Sequence, residues 1–92
     1  MPNFEWDTKK DIINQAKHGV SFFDAQKEFL DKKRIIKPDI VHSKDELRYF
    51  CLGKLNDKIL TIRFTYRGTT IRIFGAAYWR EGEKAYEQEN NI

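Results

Sequence analysis

The chain has 92 residues, enough for one domain and too few for two; folding a chain of this size buries roughly 60–68% of its unfolded surface. Hydrophobic residues make up 40%, charged residues 34% and aromatic residues 14%, which reads as globular and excludes a disordered chain. A single cysteine, Cys51, excludes an internal disulfide and a thiolate metal site, while the absence of a long apolar run and of a signal-peptide core in MPNFEWDTKK points to the reducing cytoplasm.

With no internal repeat or low-complexity linker, residues 1–92 are read as one domain. Residues 4–6 form a short extended lead-in. Asp7 is placed to cap a first helix with Ile12, Ile13 and Ala16 on its apolar side. Lys17-His18-Gly19 closes it, with basic residues in the last turn and a glycine for the left-handed position. Ser21 opens a second helix with Asp24 three residues on, a short-armed capping box, and Phe22, Ala25 and Phe29 form its buried stripe. Ile35 and Ile36 begin an edge strand before Pro38. A last amphipathic helix covers about residues 81–89. Helices followed by strands give an α+β fold, a small antiparallel sheet with the two N-terminal helices on one face.

Between these ends the pattern is regular. Residues 59–66 alternate, with Leu60, Ile62, Phe64 and Tyr66 on one side and Thr61, Arg63 and Thr65 on the other. Asn56-Asp57 before them fits a type I′ loop, and Gly68-Thr69 after them a type II′ loop. Those loops pair Leu55 with Lys58 and Arg67 with Thr70. Leu47, Tyr49, Cys51 and Gly53 then oppose Tyr66, Phe64, Ile62 and Leu60, while Tyr66 and Phe64 oppose Ile71 and Ile73. One face is apolar across three strands. The other carries Arg48, Thr65 and Arg72 in one row, Phe50, Arg63 and Phe74 in the next, and Arg67 at the end.

The net charge of +3 conceals an asymmetry: residues 47–80 hold seven basic residues against the single acid Asp57. Arginines interleaved with aromatic rings on one sheet face suit single-stranded nucleic acid or an acidic partner. Such binding weakens with salt, with a log–log slope near −3 if about four arginines meet single-strand phosphates. The plainer alternative is a solvated face that aids solubility.

The order of short motifs resembles one family. Phe4-Glu5-Trp6-Asp7, Lys10, Asn14, Lys17-His18-Gly19-Val20-Ser21-Phe22 and Ala25 are similar to the N-terminal signature of the BrnT toxins. Ser43, Glu46, Arg48, Gly53, Phe64-Thr65-Tyr66-Arg67-Gly68, Ile71-Arg72-Ile73, Glu83 and Tyr86 continue the likeness. The resemblance implies a fold like that of the RelE-like toxins and a metal-independent endoribonuclease that arrests translation. It also implies a BrnA-type antitoxin that neutralises the toxin and carries the DNA-binding domain that reaches the operator. One departure stands out. Ala77 occupies a position where members of the family often carry arginine, and Arg80 is the nearest substitute.

Metal-independent cleavage by 2′-hydroxyl attack needs a base, an acid and positive charge on the phosphorane. Arg67 is the first candidate for that charge, with Arg48 and Arg72 beside it in register. Glu46 is a candidate base, or else a simple ion-pair partner of Arg48. His18, at a helix C-terminus, is either an acid–base group or a cap, and His42 reads as a loop residue. Arg63, Lys54, Phe50, Phe74, Arg80 and Trp6 are candidate RNA contacts, Trp6 equally a core anchor. No spacing suggests a metal site. A non-enzymatic module that holds nucleic acid or a partner on the same basic face is the competing reading.

Overall fold

Alternation of apolar and polar residues builds the centre of the molecule. The computed structural model describes residues 2–92. In it β3 (Tyr49–Leu55), β4 (Lys58–Arg67) and β5 (Thr70–Ala77) form two consecutive hairpins. Both loops set the expected register, pairing Leu55 with Lys58 and Arg67 with Thr70. Gly68 takes a φ of 62° at the first position of its loop, where a side chain would be strained. Asn56 takes a φ of 58° in the other loop, a value asparagine tolerates.

Two more strands complete a sheet of order β1-β5-β4-β3-β2. The strand β2 (Ile35–Pro38) adds antiparallel to β3, whereas β1 (Asn3–Trp6) runs parallel to β5. The sheet is therefore mixed, not purely antiparallel. Helices and three strands separate β1 from β5, so no tight turn dictates its direction. The parallel sense sets Phe4 beside Ile71 and Trp6 beside Ile73, and it brings Glu5 beside Arg72.

One face of the sheet carries the main core, in which Cys51, Leu60, Ile62, Phe64 and Ile73 pack with Phe22 and Ala25. The helix α2 (Phe22–Ala25) runs on into a 3-10 turn, Gln26–Leu30, and is capped as expected by Ser21 Oγ accepting from Asp24 N at 3.0 Å. Beneath it Glu28 is fully buried against Gly53, where even a Cβ would come within 2.7 Å of the Glu28 chain. Burial pushes the Glu28 carboxyl up to about 9. The adjacent Cys51 thiol is raised too, first by burial and then by Glu28.

The helix α1 (Thr8–His18) is capped by Asp7 and ended by Gly19 at a φ of 70°, as the sequence implies. Its packing is the reverse of the expectation. Ile12 and Ile13 are 61% and 53% exposed, and the buried residue is Asn14. Asn14 does what a neighbouring strand would do for β5: Nδ2 donates to Ala76 O at 2.9 Å and Oδ1 accepts from Ala76 N at 3.1 Å. Nδ2 also reaches Val20 O, and Asp11 accepts from Phe22 N, so polar side chains tie α1 to its surroundings.

The helix α3 (Arg80–Glu89) lies on the opposite face, over Leu52 and Ile59, with Tyr86 buried between them. Gly82 allows close approach, since a Cβ there would collide with Thr61 Oγ1. Tyr86 donates to Asp31 Oδ2 at 2.6 Å, and burial together with this bond lifts the phenol to about 12. α3 thus covers the Leu52–Ile59–Thr61 end of the face the arginines share. The other end stays open.

Candidate active site

The open end is where the ion pairs gather. Arg67 ends β4, and Arg72 on β5 stands opposite Thr65, so the two arginines are diagonal neighbours. Arg48 precedes β3 rather than lying within it. There Ser43 Oγ accepts from Arg48 N at 2.8 Å, and Asp39 N donates to Arg48 O at 2.7 Å. These bonds divert the chain into the 39–48 loop, leaving Leu47 67% exposed rather than on the apolar face, although Thr65 Oγ1 still donates to Leu47 O.

The loop carries Glu46 to the two arginines. Its Oε1 is 3.5 Å from Arg67 Nη2 and 3.8 Å from Arg48 Nη2, with all three side chains a third to a half exposed. Arg48 is braced from its other side, its guanidinium carbon 4.1 Å above the Phe74 ring. Lys10 Nζ approaches the same ring at 5.3 Å. Arg72 Nη1 pairs with Glu5 Oε2 at 2.6 Å. Beside the cluster, Val41, His42, Lys44, Asp45, Glu46 and Arg48 line a cleft of about 400 Å³.

The structure brings together Arg67, Arg48, Glu46 and Phe74, with Arg72 adjoining. Phe74 is placed by a β-bulge: Arg63 opposes Gly75, not Phe74 as alternation implies, because the register shifts between Arg63 and Phe64. Phe74 is the extra residue. Its ring serves as a platform for two cations rather than as an exposed stacking surface. The Arg63 guanidinium lies against Gly75, where a Cβ would sit 3.1 Å from Nη2, and the residue is half-buried.

Other candidates lie elsewhere. Lys54 opposes Ile59, eight residues along β4 from Arg67, or roughly 26 Å. Phe50 packs on Trp79 at 6.0 Å, beside α3. Arg80 lines a separate cleft with Lys58 and Tyr78, and Ala77 is buried opposite Thr61, so Arg80 does not enter the Arg67 cluster. Trp6 packs edge-on against Phe22 at 6.2 Å as part of the core. His18 is exposed at the end of α1 that lies beyond Ala76, with Lys10 and Phe74 at the opposite end. Tyr66 closes the apolar row at 5.3 Å from both Tyr49 and Phe64, but is 47% exposed.

Sequence reasoning missed Glu5, Lys10 and the Asp39–His42 pair. Glu5 and Lys10 stood in the quoted motifs, but their place follows only from the parallel β1 and from α1 crossing β5. An Asp three residues before a His, followed by Ser, is a turn pattern that signals the third.

The small α+β scaffold thus gathers two guanidiniums around one carboxylate at the open end of a sheet. The sequence model of the ribonuclease toxin BrnT, of type II toxin–antitoxin systems, matches residues 6–83, and the chain belongs to that family. Membership implies an RNA substrate and an antitoxin partner. Among curated proteins none matches the chain significantly. Among the described residues no helix is long and apolar enough to cross a membrane.

Proposed function

We propose that this protein is an endoribonuclease that needs no metal ion and cleaves RNA by attack of a 2′-hydroxyl on the adjacent phosphorus. The observation that carries this reading is Glu46 between Arg67 and Arg48. Both guanidiniums meet Oε1, which leaves Oε2 to take the 2′-hydroxyl proton. Arg67 and Arg48 neutralise the phosphorane as charge develops, and a preorganised donor of this kind is worth about 2.7–4 kcal/mol in the transition state. Their ordering is achieved beforehand, by Glu46 and by the Phe74 ring. Arg72, held by Glu5, adds positive potential next to them.

Cleavage of messenger RNA would arrest translation in the cytoplasm. A BrnA-type antitoxin would neutralise the toxin and deliver the complex to operator DNA. The packing of helices on a small sheet is compatible with the RelE-like toxins. Ala77 favours a second reading, a binding module without catalysis, because the arginine usual there is missing and Arg80 does not enter the cluster.

The two readings separate on single-stranded RNA in excess EDTA. The nuclease reading expects fragments ending in 2′,3′-cyclic phosphate and 5′-hydroxyl, and no cut at a 2′-O-methylated position. Binding without cleavage by the folded protein would establish the second.

A further inference from the structure

In the 39–48 loop a buried carboxylate meets both the backbone N–H and the ring of one histidine. Asp39 is 3% exposed, and its carboxylate meets the imidazole of His42, with Oδ2 at 2.9 Å and Oδ1 at 3.1 Å from Nδ1. The His42 side chain is half exposed, and His42 lines the same cleft as Glu46 and Arg48. The turn is already closed by other bonds. Asp39 N donates to Arg48 O, Ser43 Oγ to Asp39 O, Arg48 N to Ser43 Oγ, and Ser43 N to Ile40 O. Burying a carboxylate is costly unless it is paired; the His42 backbone N–H donates to Asp39 Oδ1 at 3.4 Å, and the ring is the side-chain partner. An anchored Nδ1 fixes the ring and leaves Nε2 as the nitrogen free to exchange a proton.

We propose that His42 is the general acid of the RNA cleavage, with Asp39 as its positioning residue. The inference rests on the nuclease reading above and supplies the proton donor that reading lacked. In the step, O2′ forms a bond to phosphorus and gives its proton to Glu46. The P–O5′ bond breaks, and the imidazolium gives its Nε2 proton to O5′. Nδ1 keeps its proton, donated to Asp39 throughout. The products are the 2′,3′-cyclic phosphate and the 5′-hydroxyl; Glu46 then releases the proton it took to solvent, and His42 Nε2 takes one up from solvent.

The test uses His42→Asn, whose side-chain amide can still donate to Asp39 while nothing replaces Nε2. General acid catalysis is worth about 10²–10⁴-fold. The variant is expected to cleave RNA at least 100-fold more slowly, yet to bind a 2′-O-methylated strand as tightly as wild type. A nucleoside 3′-phosphodiester with a p-nitrophenolate leaving group needs no proton at the departing oxygen, so the variant should cleave it within a few-fold of wild type. Imidazole in the buffer should restore part of the RNA cleavage. Wild-type-like RNA cleavage by His42→Asn overturns the proposal, as does an equal loss on both substrates, which marks a structural role. Failure of the wild type to cut either substrate overturns the nuclease reading itself. His42→Ala, judged by the same ratio of the two substrates, serves if the asparagine variant does not fold.

Discussion

Glu28 is an acid that the fold keeps neutral, and its titration should be visible in the stability of the whole protein. Burial raises its carboxyl from the usual 4.5 to about 9. Between those values the unfolded chain has released a proton that the folded chain still holds. The stability this group contributes is therefore complete below about pH 4.5 and is lost as the pH rises toward 9. The slope is about 1.36 kcal/mol per pH unit, so moving from pH 5 to pH 8 removes roughly 4 kcal/mol, an upper value for a structure that relaxes. Glu28→Gln removes the titration while keeping the shape that Gly53 accommodates. Urea unfolding of both proteins at pH 5 and pH 8 isolates the effect, because other groups titrate in both. The variant should gain on the wild type by several kcal/mol across that interval. Parallel stabilities at the two pH values would refute the reasoning.

Asn14 substitutes for a strand at Ala76, so Asn14→Leu should strand both backbone groups of Ala76 and cost about 2–4 kcal/mol in urea unfolding; a loss under 1 kcal/mol would contradict that role. Salt titration of binding to a 2′-O-methylated strand gives a further test. Arg63 lies against Gly75 and Arg72 is held by Glu5 at 2.6 Å, whereas Arg48 and Arg67 share one Glu46 oxygen at 3.8 and 3.5 Å, so these two and Lys10 are the cations placed to meet phosphates. Three such contacts give a log–log slope near −2, rather than the roughly −3 expected from four free arginines. A slope of −3 or steeper would mean that RNA also displaces Glu5 from Arg72.

What was legible in the sequence was whatever depends on neighbours along the chain. Alternation through Leu60, Ile62 and Phe64, with turn residues at either end, was enough to pair β3, β4 and β5. Capping by Asp7, Ser21 and Gly19 is equally local. The failures each involve distant partners. Ile12, Ile13 and Ala16 look like a core stripe until β5 is seen to need hydrogen bonds from α1, which Asn14 alone can make. Phe74 looks like an exposed platform until the bulge brings it under Arg48. The parallel direction of β1, and with it the Glu5–Arg72 pair, depends on how the chain far from β5 returns to that edge, which no local pattern encodes.

The site divides along the same line. The hairpin register placed Arg67 near the start of β3 and so near Arg48, whereas Glu46 reaches both arginines from the 39–48 loop rather than by strand spacing. Lys54 and Arg80 seemed to belong with them because charge counting ignores position along a strand. α3 covers part of the shared face, and both residues lie toward that end. Asp39 and His42 were hidden by their loop, whose path depends on hydrogen bonds to Arg48.

The most direct measurement compares wild type with Arg67→Ala on single-stranded RNA in excess EDTA, with circular dichroism on both proteins. Arg67 is half exposed and outside both cores, so the variant should keep its fold. The account predicts cleavage by the wild type and a loss of about 100-fold or more in the folded variant. Equal cleavage by the two proteins would contradict the assignment of Arg67 to the reacting phosphate, and an unfolded variant would make the residue structural.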